Sequence, residues 1–238
     1  MKKGCLISLI IFQMFWCLNS NAQDWPGLNR YHYANEILKT MPNNGKRVVF
    51  MGNSITDSWI NNDSVFFSVN NYIDRGISGQ TSPQMLLRFR ADVIYLNPAA
   101  VVLLCGINDI AGNTGPATLE MIEDNIQSMA ELAEANKIKI ILCSVLPAYD
   151  IPWKPNTFPA EKIATLNKWI SDYANQKHFS YIDYYSAFVD ERKGMKNEYS
   201  QDGVHPNKAG YIIMENLAQP VIRKLIKLKI KSEKESLF

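Results

Sequence analysis

The chain has 238 residues, 47% of them hydrophobic and 20% charged, with a formal charge of +2. That length suits one domain with a substantial core, and the composition excludes a disordered chain. Residues 223–238 hold six Lys or Arg against two Glu, leaving 17 basic and 21 acidic groups in 23–222; a nucleic-acid binder would carry a basic face on its body, so that class is excluded.

At the N-terminus, Lys2 and Lys3 precede an apolar run from Cys5 to Leu18, followed by Asn19-Ser20-Asn21-Ala22. A basic start, a short apolar core and small residues predict a secretory signal over residues 1–22, cut after Ala22, with one domain over 23–238. The run is shorter than the roughly 20 residues a membrane span needs. Bulky Phe15 and Trp16 before Cys17 disfavour a lipid anchor there. The mature protein is therefore expected to be exported, periplasmic or secreted, without stable membrane insertion. Cys105 and Cys143 remain in it, each within an apolar run. Export permits a disulfide, but buried free thiols are the expectation.

Asp24 to Met41 reads as a leading segment and helix, and Arg47–Gly52 as the first strand. The strand runs into Asn53-Ser54, and Ile55-Thr56-Asp57-Ser58-Trp59 can begin a helix. Phe66–Ile73 is apolar enough for a second strand, closing at Asp74-Arg75-Gly76-Ile77-Ser78-Gly79. Helix spacing of Met85, Leu86, Phe89 and Val93 predicts a helix over 82–97. Ala99–Cys105 and Ile138–Val145 are continuous apolar runs, the mark of strands buried on both faces. Between them, Thr118 to Asn136 is an amphipathic helix. Four prolines between Pro147 and Pro159 make that stretch an irregular loop. A helix over 161–176, a short strand Phe179–Asp183 and a final helix from Ala209, with a solvated lysine face, complete the chain. Strands alternating with helices predict an α/β fold, a three-layer αβα sandwich on a central five-stranded parallel sheet. Its strand order is not legible from the pattern.

Polar clusters follow the strands: Asn53-Ser54, Ser78-Gly79 and Asn108-Asp109, with Asp202-Gly203-Val204-His205 near the C-terminus. Serine hydrolysis needs a hydroxyl, an imidazole to take its proton, a group that orients the imidazole, and donors aimed at the developing oxyanion. These clusters contain every part. Ser54 alone reads equally as a helix cap, with Asp57 completing a capping-box-like pair. Of three histidines, His32 and His178 lie at helical positions that favour surface roles, and His205 follows Asp202 in a loop. The G-x-S-x-G elbow is not matched, since Thr56 follows Ile55. One loop histidine without an HExxH or Cys–His cluster leaves a metal site poorly supplied. No nucleotide-binding glycine motif appears. No metal or cofactor is expected.

Four blocks, in order, resemble those of the SGNH, or GDSL-type, esterase superfamily: Gly52-Asn53-Ser54-Ile55, Gly76-Ile77-Ser78-Gly79-Gln80-Thr81, Gly106-Ile107-Asn108-Asp109 and Asp202-Gly203-Val204-His205-Pro206. With their strand context they span Val48 to Tyr211. The resemblance implies the flavodoxin-like fold of that superfamily, with Ser54 as nucleophile, His205 as general base and Asp202 as its orienting acid. It also implies an oxyanion hole from the Ser54 and Gly79 backbone N–H groups and the Asn108 side chain. Asn53 departs from the aspartate usual in the first block; it is expected to hold the turn by hydrogen bonds. Asp109 is expected to be a backbone partner outside the catalytic set.

The chain further resembles the branch of platelet-activating-factor acetylhydrolase catalytic subunits and small bacterial acetylesterases. That likeness, the export signal and the Tyr149–Pro159 loop point to short acetyl esters, on a small molecule or a glycan. Trp153 in the loop either stacks on a sugar ring or packs the loop. Two other readings stay open: a non-catalytic carbohydrate-binding protein on the same fold, and an O-acyltransferase.

Overall fold

The computed structural model describes residues 24–235, with side chains through Lys227. The expected signal segment lies outside the described residues. Helix α1 (His32–Thr40) leads into β1 (Val48–Gly52), then three short helices, α2 (Ser54–Asp57), α3 (Trp59–Asn62) and α4 (Ser64–Asn70). Next come β2 (Tyr72–Gly76), α5 (Ser82–Asp92), a 3₁₀ turn (Ile94–Leu96), β3 (Ala100–Leu104), α6 (Ile107–Ile110), α7 (Leu119–Ala135) and β4 (Lys139–Cys143). Helix α8 (Ala160–Gln176), β5 (Ser180–Ile182), α9 (Tyr184–Phe188) and α10 (Lys208–Glu235) complete it.

All five strands are parallel, in the order β2-β1-β3-β4-β5. Side chains alternate along each strand, so the sheet splits its apolar residues between two cores. Val49, Met51, Val101, Leu103, Ile140 and Leu142 pack against α5, α7 and α8 on one face. Val48, Phe50, Val102, Leu104, Ile141 and Ile182 pack against α3, α4, α9 and α10 on the other. On that second face Phe50 meets Trp59, Phe66, Phe67 and Tyr72 at centroid distances of 5.2–6.0 Å. Cys105 and Cys143 are buried and unpaired, as expected. In α10, Met214, Ala218 and Ile222 face the core, while Arg223, Lys224 and Lys227 are exposed. Among the described residues no helix is long and apolar enough to cross a membrane.

The second strand is displaced from its expected place. Residues 64–70 are helical: Asp63 caps the helix by accepting from the Phe66 N–H at 2.9 Å, and Asn71 ends it in the left-handed region at φ 58°. Both Phe66 and Phe67 reach the aromatic core from this helix, and a short apolar run does not distinguish helix from strand. The strand instead runs through Asp74 and Arg75, both buried. Helix α5 also stops earlier than its spacing predicts, at Asp92, before the 3₁₀ turn.

In an open α/β sheet of this order, ligands sit outside the carboxyl ends of the strands where the winding direction reverses. Here that point lies between β1 and β3. The segments that follow those two strands carry Ser54 and Asn108.

Candidate active site

Strand β1 ends at Gly52 and the chain turns through Asn53 (φ −103°, ψ −147°) into α2. Asn53, not Ser54, caps the helix: its side-chain oxygen accepts the Ile55 N–H at 3.0 Å. This carries out the turn-holding role expected of Asn53, and it frees the serine hydroxyl. Ser54 becomes the first helical residue, whose N–H has no acceptor within the helix. Its Oγ lies 2.9 Å from His205 Nε2. Asp57 does not complete a capping box. Its Oδ2 accepts from the Ser78 N–H (3.2 Å) and Oγ (2.7 Å), and its Oδ1 lies 3.4 Å from Arg30. The helix bearing Ser54 is thereby tied to the loop after β2.

Gly76 ends β2 against that helix; a Cβ there would stand 2.0 Å from the Asp57 nitrogen, so only glycine fits. Gly79 follows at φ +80°, a conformation that side chains resist. Asn108, 1% exposed, donates one amide hydrogen to the Gln80 carbonyl at 2.9 Å. Next to it, Asp109 accepts from the Ser82 N–H (2.9 Å) and Oγ (2.6 Å), the backbone-partner role expected of it. Burial pushes the Asp109 carboxyl up to about 6, against the pull of those donors.

Beneath these loops lies a buried polar network. Arg88, fully buried, donates to Asp92 (2.8 Å), to the Gln80 side chain (2.6 Å) and to the carbonyl of Gly52 (3.0 Å). One guanidinium thus holds the end of β1 and the start of the segment leading to α5, using the fixed fork that lysine lacks. Asp92 in turn accepts from Asn35 (2.6 Å), which accepts twice from Arg75 (2.9 and 2.8 Å). Asp74 accepts the Gly76 N–H at 2.7 Å, but its second oxygen is buried without a hydrogen-bond partner. Burial pushes its carboxyl up to about 7.

His205 is presented by the turn before α10. Its Nδ1 lies 2.7 Å from Asp202 Oδ2. The other Asp202 oxygen accepts the Val204 and His205 N–H groups at 2.9 and 2.8 Å. Burial pulls the Asp202 carboxyl upward, but these N–H groups and the imidazole outweigh it and bring it down to about 2. Ser200 closes the turn, accepting the Gly203 N–H (2.9 Å) and donating to the His205 carbonyl (2.8 Å).

Ser54, Gly79, Asn108, Trp153 and His205 all line one cleft, with Ser58, Ser78 and Asn113, enclosing about 500 Å³. Asp202 stands behind His205. Trp153, 44% exposed, tilts over the imidazole with ring centroids 5.6 Å apart, and its indole N–H donates to Asn113 at 3.0 Å. His178 lies at the opposite end of the sheet, after α8, and His32 opens α1. Three contributors were not singled out from sequence. Arg88 falls on the buried stripe of α5 with Met85, Phe89 and Asp92, so its spacing carried a signal. Ser200 and Asn113 carried none beyond turn composition.

A hydroxyl, an imidazole and a carboxylate in line at the carboxyl edge of a doubly wound parallel sheet make the arrangement of a carboxylic ester hydrolase. The comparisons agree. The chain belongs to the GDSL-like lipase/acylhydrolase family, whose match covers residues 50–213. It is 28% identical over 154 residues to the esterase TesA of Pseudomonas aeruginosa, spanning 65% of this chain and 70% of that one. A proposed acylhydrolase from Bacteroides fragilis has a crystal structure 48% identical in sequence, with a TM-score of 0.84, covering 86% of this chain and 99% of its own. The acetylxylan esterase Axe2 of Geobacillus stearothermophilus shares the fold at 20% identity and a TM-score of 0.62, over 75% of this chain and 94% of its own.

Proposed function

We propose that this esterase is exported and removes short acyl groups, chiefly acetyl, from carbohydrate, through an acyl-serine intermediate on Ser54. The observation that carries the reading is the unbroken relay from Ser54 Oγ to His205 Nε2 (2.9 Å) and from His205 Nδ1 to Asp202 (2.7 Å). His205 takes the Ser54 proton as Oγ attacks the ester carbonyl. The oxygen that becomes negative is received by the Ser54 and Gly79 N–H groups and the free amide hydrogen of Asn108. The imidazolium then protonates the departing alkoxide, and a water activated by the same imidazole releases the acid. Asp202 keeps its charge throughout and fixes the ring.

Two features support a short acyl group on a polar alcohol. The cleft is lined by serines, asparagines and glycine, with Trp153 its single large apolar side chain, so it offers no apolar wall to a long chain. The group that protonates the leaving oxygen must stand beside the alcohol half of the ester. Trp153, tilted over His205, supports a reading in which its ring stacks on that half. Its half-exposed ring fits this role better than loop packing. Export rests on the sequence of residues 1–22.

Turnover of acetyl and octanoyl aryl esters, with Ser54→Ala as control, tests the acyl preference. Preference for acetyl, abolished in Ser54→Ala, is the expected result; a clear preference for octanoyl overturns it. A screen of acetylated glycans should release acetate, and release from none overturns the carbohydrate assignment.

A further inference from the structure

Asn113 joins two loops that the proposed chemistry uses separately. Its Nδ2 donates to the Gly79 carbonyl at 3.2 Å, and its Oδ1 accepts the Trp153 indole N–H at 3.0 Å. A carbonyl requires a donor and an indole requires an acceptor, so the two partners fix the orientation of the amide. Asn113 is itself anchored. Its backbone N–H donates to the Asn108 carbonyl at 3.0 Å, and the neighbouring Thr114 hydroxyl lies 3.0 Å from that of Thr81 at the start of α5.

We infer that Asn113 is a positioning residue that clasps the Trp153 loop to the oxyanion loop and so holds the Gly79 N–H on its target. The inference rests on the roles proposed above for Gly79 and Ser54. Gly79 has no Cβ, and beyond its chain neighbours no atom lies within 4 Å of where one would stand, so side-chain packing does not set its backbone. Hydrogen bonds set it instead: Asp57 holds Ser78 before it, the Gln80 N–H closes the turn on the Ile77 carbonyl at 3.3 Å, and Asn113 holds the Gly79 carbonyl, in the peptide after the one that carries its N–H. An oxyanion donor is effective only when its N–H is aimed in advance at the position the charge will occupy. Trp153 engages the same amide, so the ring over His205 and the donor at Gly79 keep a fixed separation across the cleft.

The halves of the clasp separate by substitution. Asn113→Asp keeps an acceptor for the indole but sets a carboxylate against the Gly79 carbonyl. Trp153→Phe keeps a ring over His205 and leaves the Gly79 half intact. Asn113→Ala removes both. With 4-nitrophenyl acetate, Asn113→Asp and Asn113→Ala should each lower kcat about tenfold with KM within about twofold, since small misplacements of a reacting group carry costs of this size. Trp153→Phe should lower kcat less than either. Because Asn113 is exposed, thermal midpoints should stay at the wild-type value.

A second readout does not depend on turnover. In ¹⁵N-labelled protein the Trp153 indole resonance, identified by its loss in Trp153→Phe, should exchange with solvent faster in Asn113→Ala than in wild type. Wild-type kcat in Asn113→Ala, or a change confined to KM, overturns the clasp, as does unchanged indole exchange. Turnover that survives in Ser54→Ala instead overturns the reading of the site, with the indole exchange still deciding whether the clasp exists.

Discussion

Ser54, Gly79 and Asn108 stand on a floor of buried polar groups, whereas His205 and Asp202 stand on a turn partly open to solvent. The first half is held by Asn53, Arg88 and Asp109, each no more than 3% exposed. In the second half the side chains of His205 and Asp202 are 33% and 41% exposed, held by one another, by Ser200 and by backbone N–H groups of the same turn. Donors that receive a developing charge must be fixed beforehand, and the roles proposed for these three residues suit the buried network that holds them. A general base must meet substrate and water, and the role proposed for His205 suits a side chain that both can reach. Its geometry needs only local bonds, because His205 and Asp202 are three residues apart. Substitutions beneath the first half should therefore cost stability, and substitutions in the second should cost rate with little change in stability.

Asp202→Asn should show the rate-only behaviour most strongly. Loss of the carboxylate leaves the imidazole in the wrong tautomer, and kcat on an aryl acetate should fall by about 10²–10⁴, with the thermal midpoint lowered far less than by a change beneath the first half. A large loss of stability would break the contrast. Arg88→Met should do the reverse, leaving Asp92, the Gln80 side chain and the Gly52 carbonyl short of a donor in the core. Removing one partner of a buried pair costs about 3–5 kcal/mol, to be read by denaturant titration. A loss below 1 kcal/mol would show that the network is not a floor.

Asp74 supplies a pH test of the same half. Its carboxyl rises from an ordinary 3.8 to about 7 on burial, so its burial costs nothing below pH 4, where it is protonated folded and unfolded. It costs progressively more as pH rises toward 7, when the unfolded chain has released the proton and the folded one resists. Asp109, raised to about 6, acts in the same direction. Asp74→Asn should match wild type near pH 4 and gain on the order of 2–4 kcal/mol over it at pH 8. Equal stability at pH 8 would contradict the assignment. The smallest effect should come from Ser200→Ala, about 1 kcal/mol in stability for the lost hydrogen bonds, with kcat falling less than in Asp202→Asn.

The strands buried on both faces were legible because an unbroken apolar run such as Val101 to Leu104, bounded by turn residues, has few other uses. The run at 66–73 was not, because Phe66 and Phe67 enter the same aromatic core from a helix as they would from a strand. Strand order depends on how crossovers pack, which no local pattern records, so the switch point between β1 and β3 emerged only from the fold. Ser54, Gly79, Asn108, Trp153 and His205, brought together at the cleft, were named in advance, the first three because serine, glycine and asparagine directly after strands have a restricted set of purposes. What holds them was mostly hidden. Asp57 has the spacing of a helix cap yet anchors Ser78 from a neighbouring loop. Asn113 sits between glycines that read only as a turn. Partners across 20 to 150 residues of chain leave no trace in spacing.

The central claim is that Ser54 is the nucleophile activated by His205. Labelling with an aryl-leaving-group organophosphonate, followed by intact mass and peptide mapping, tests it most directly. One equivalent should attach to wild type at Ser54, with none in Ser54→Ala and strongly slowed labelling in Asp202→Asn. Folded wild type that takes no label, or a label that persists in Ser54→Ala, would contradict it.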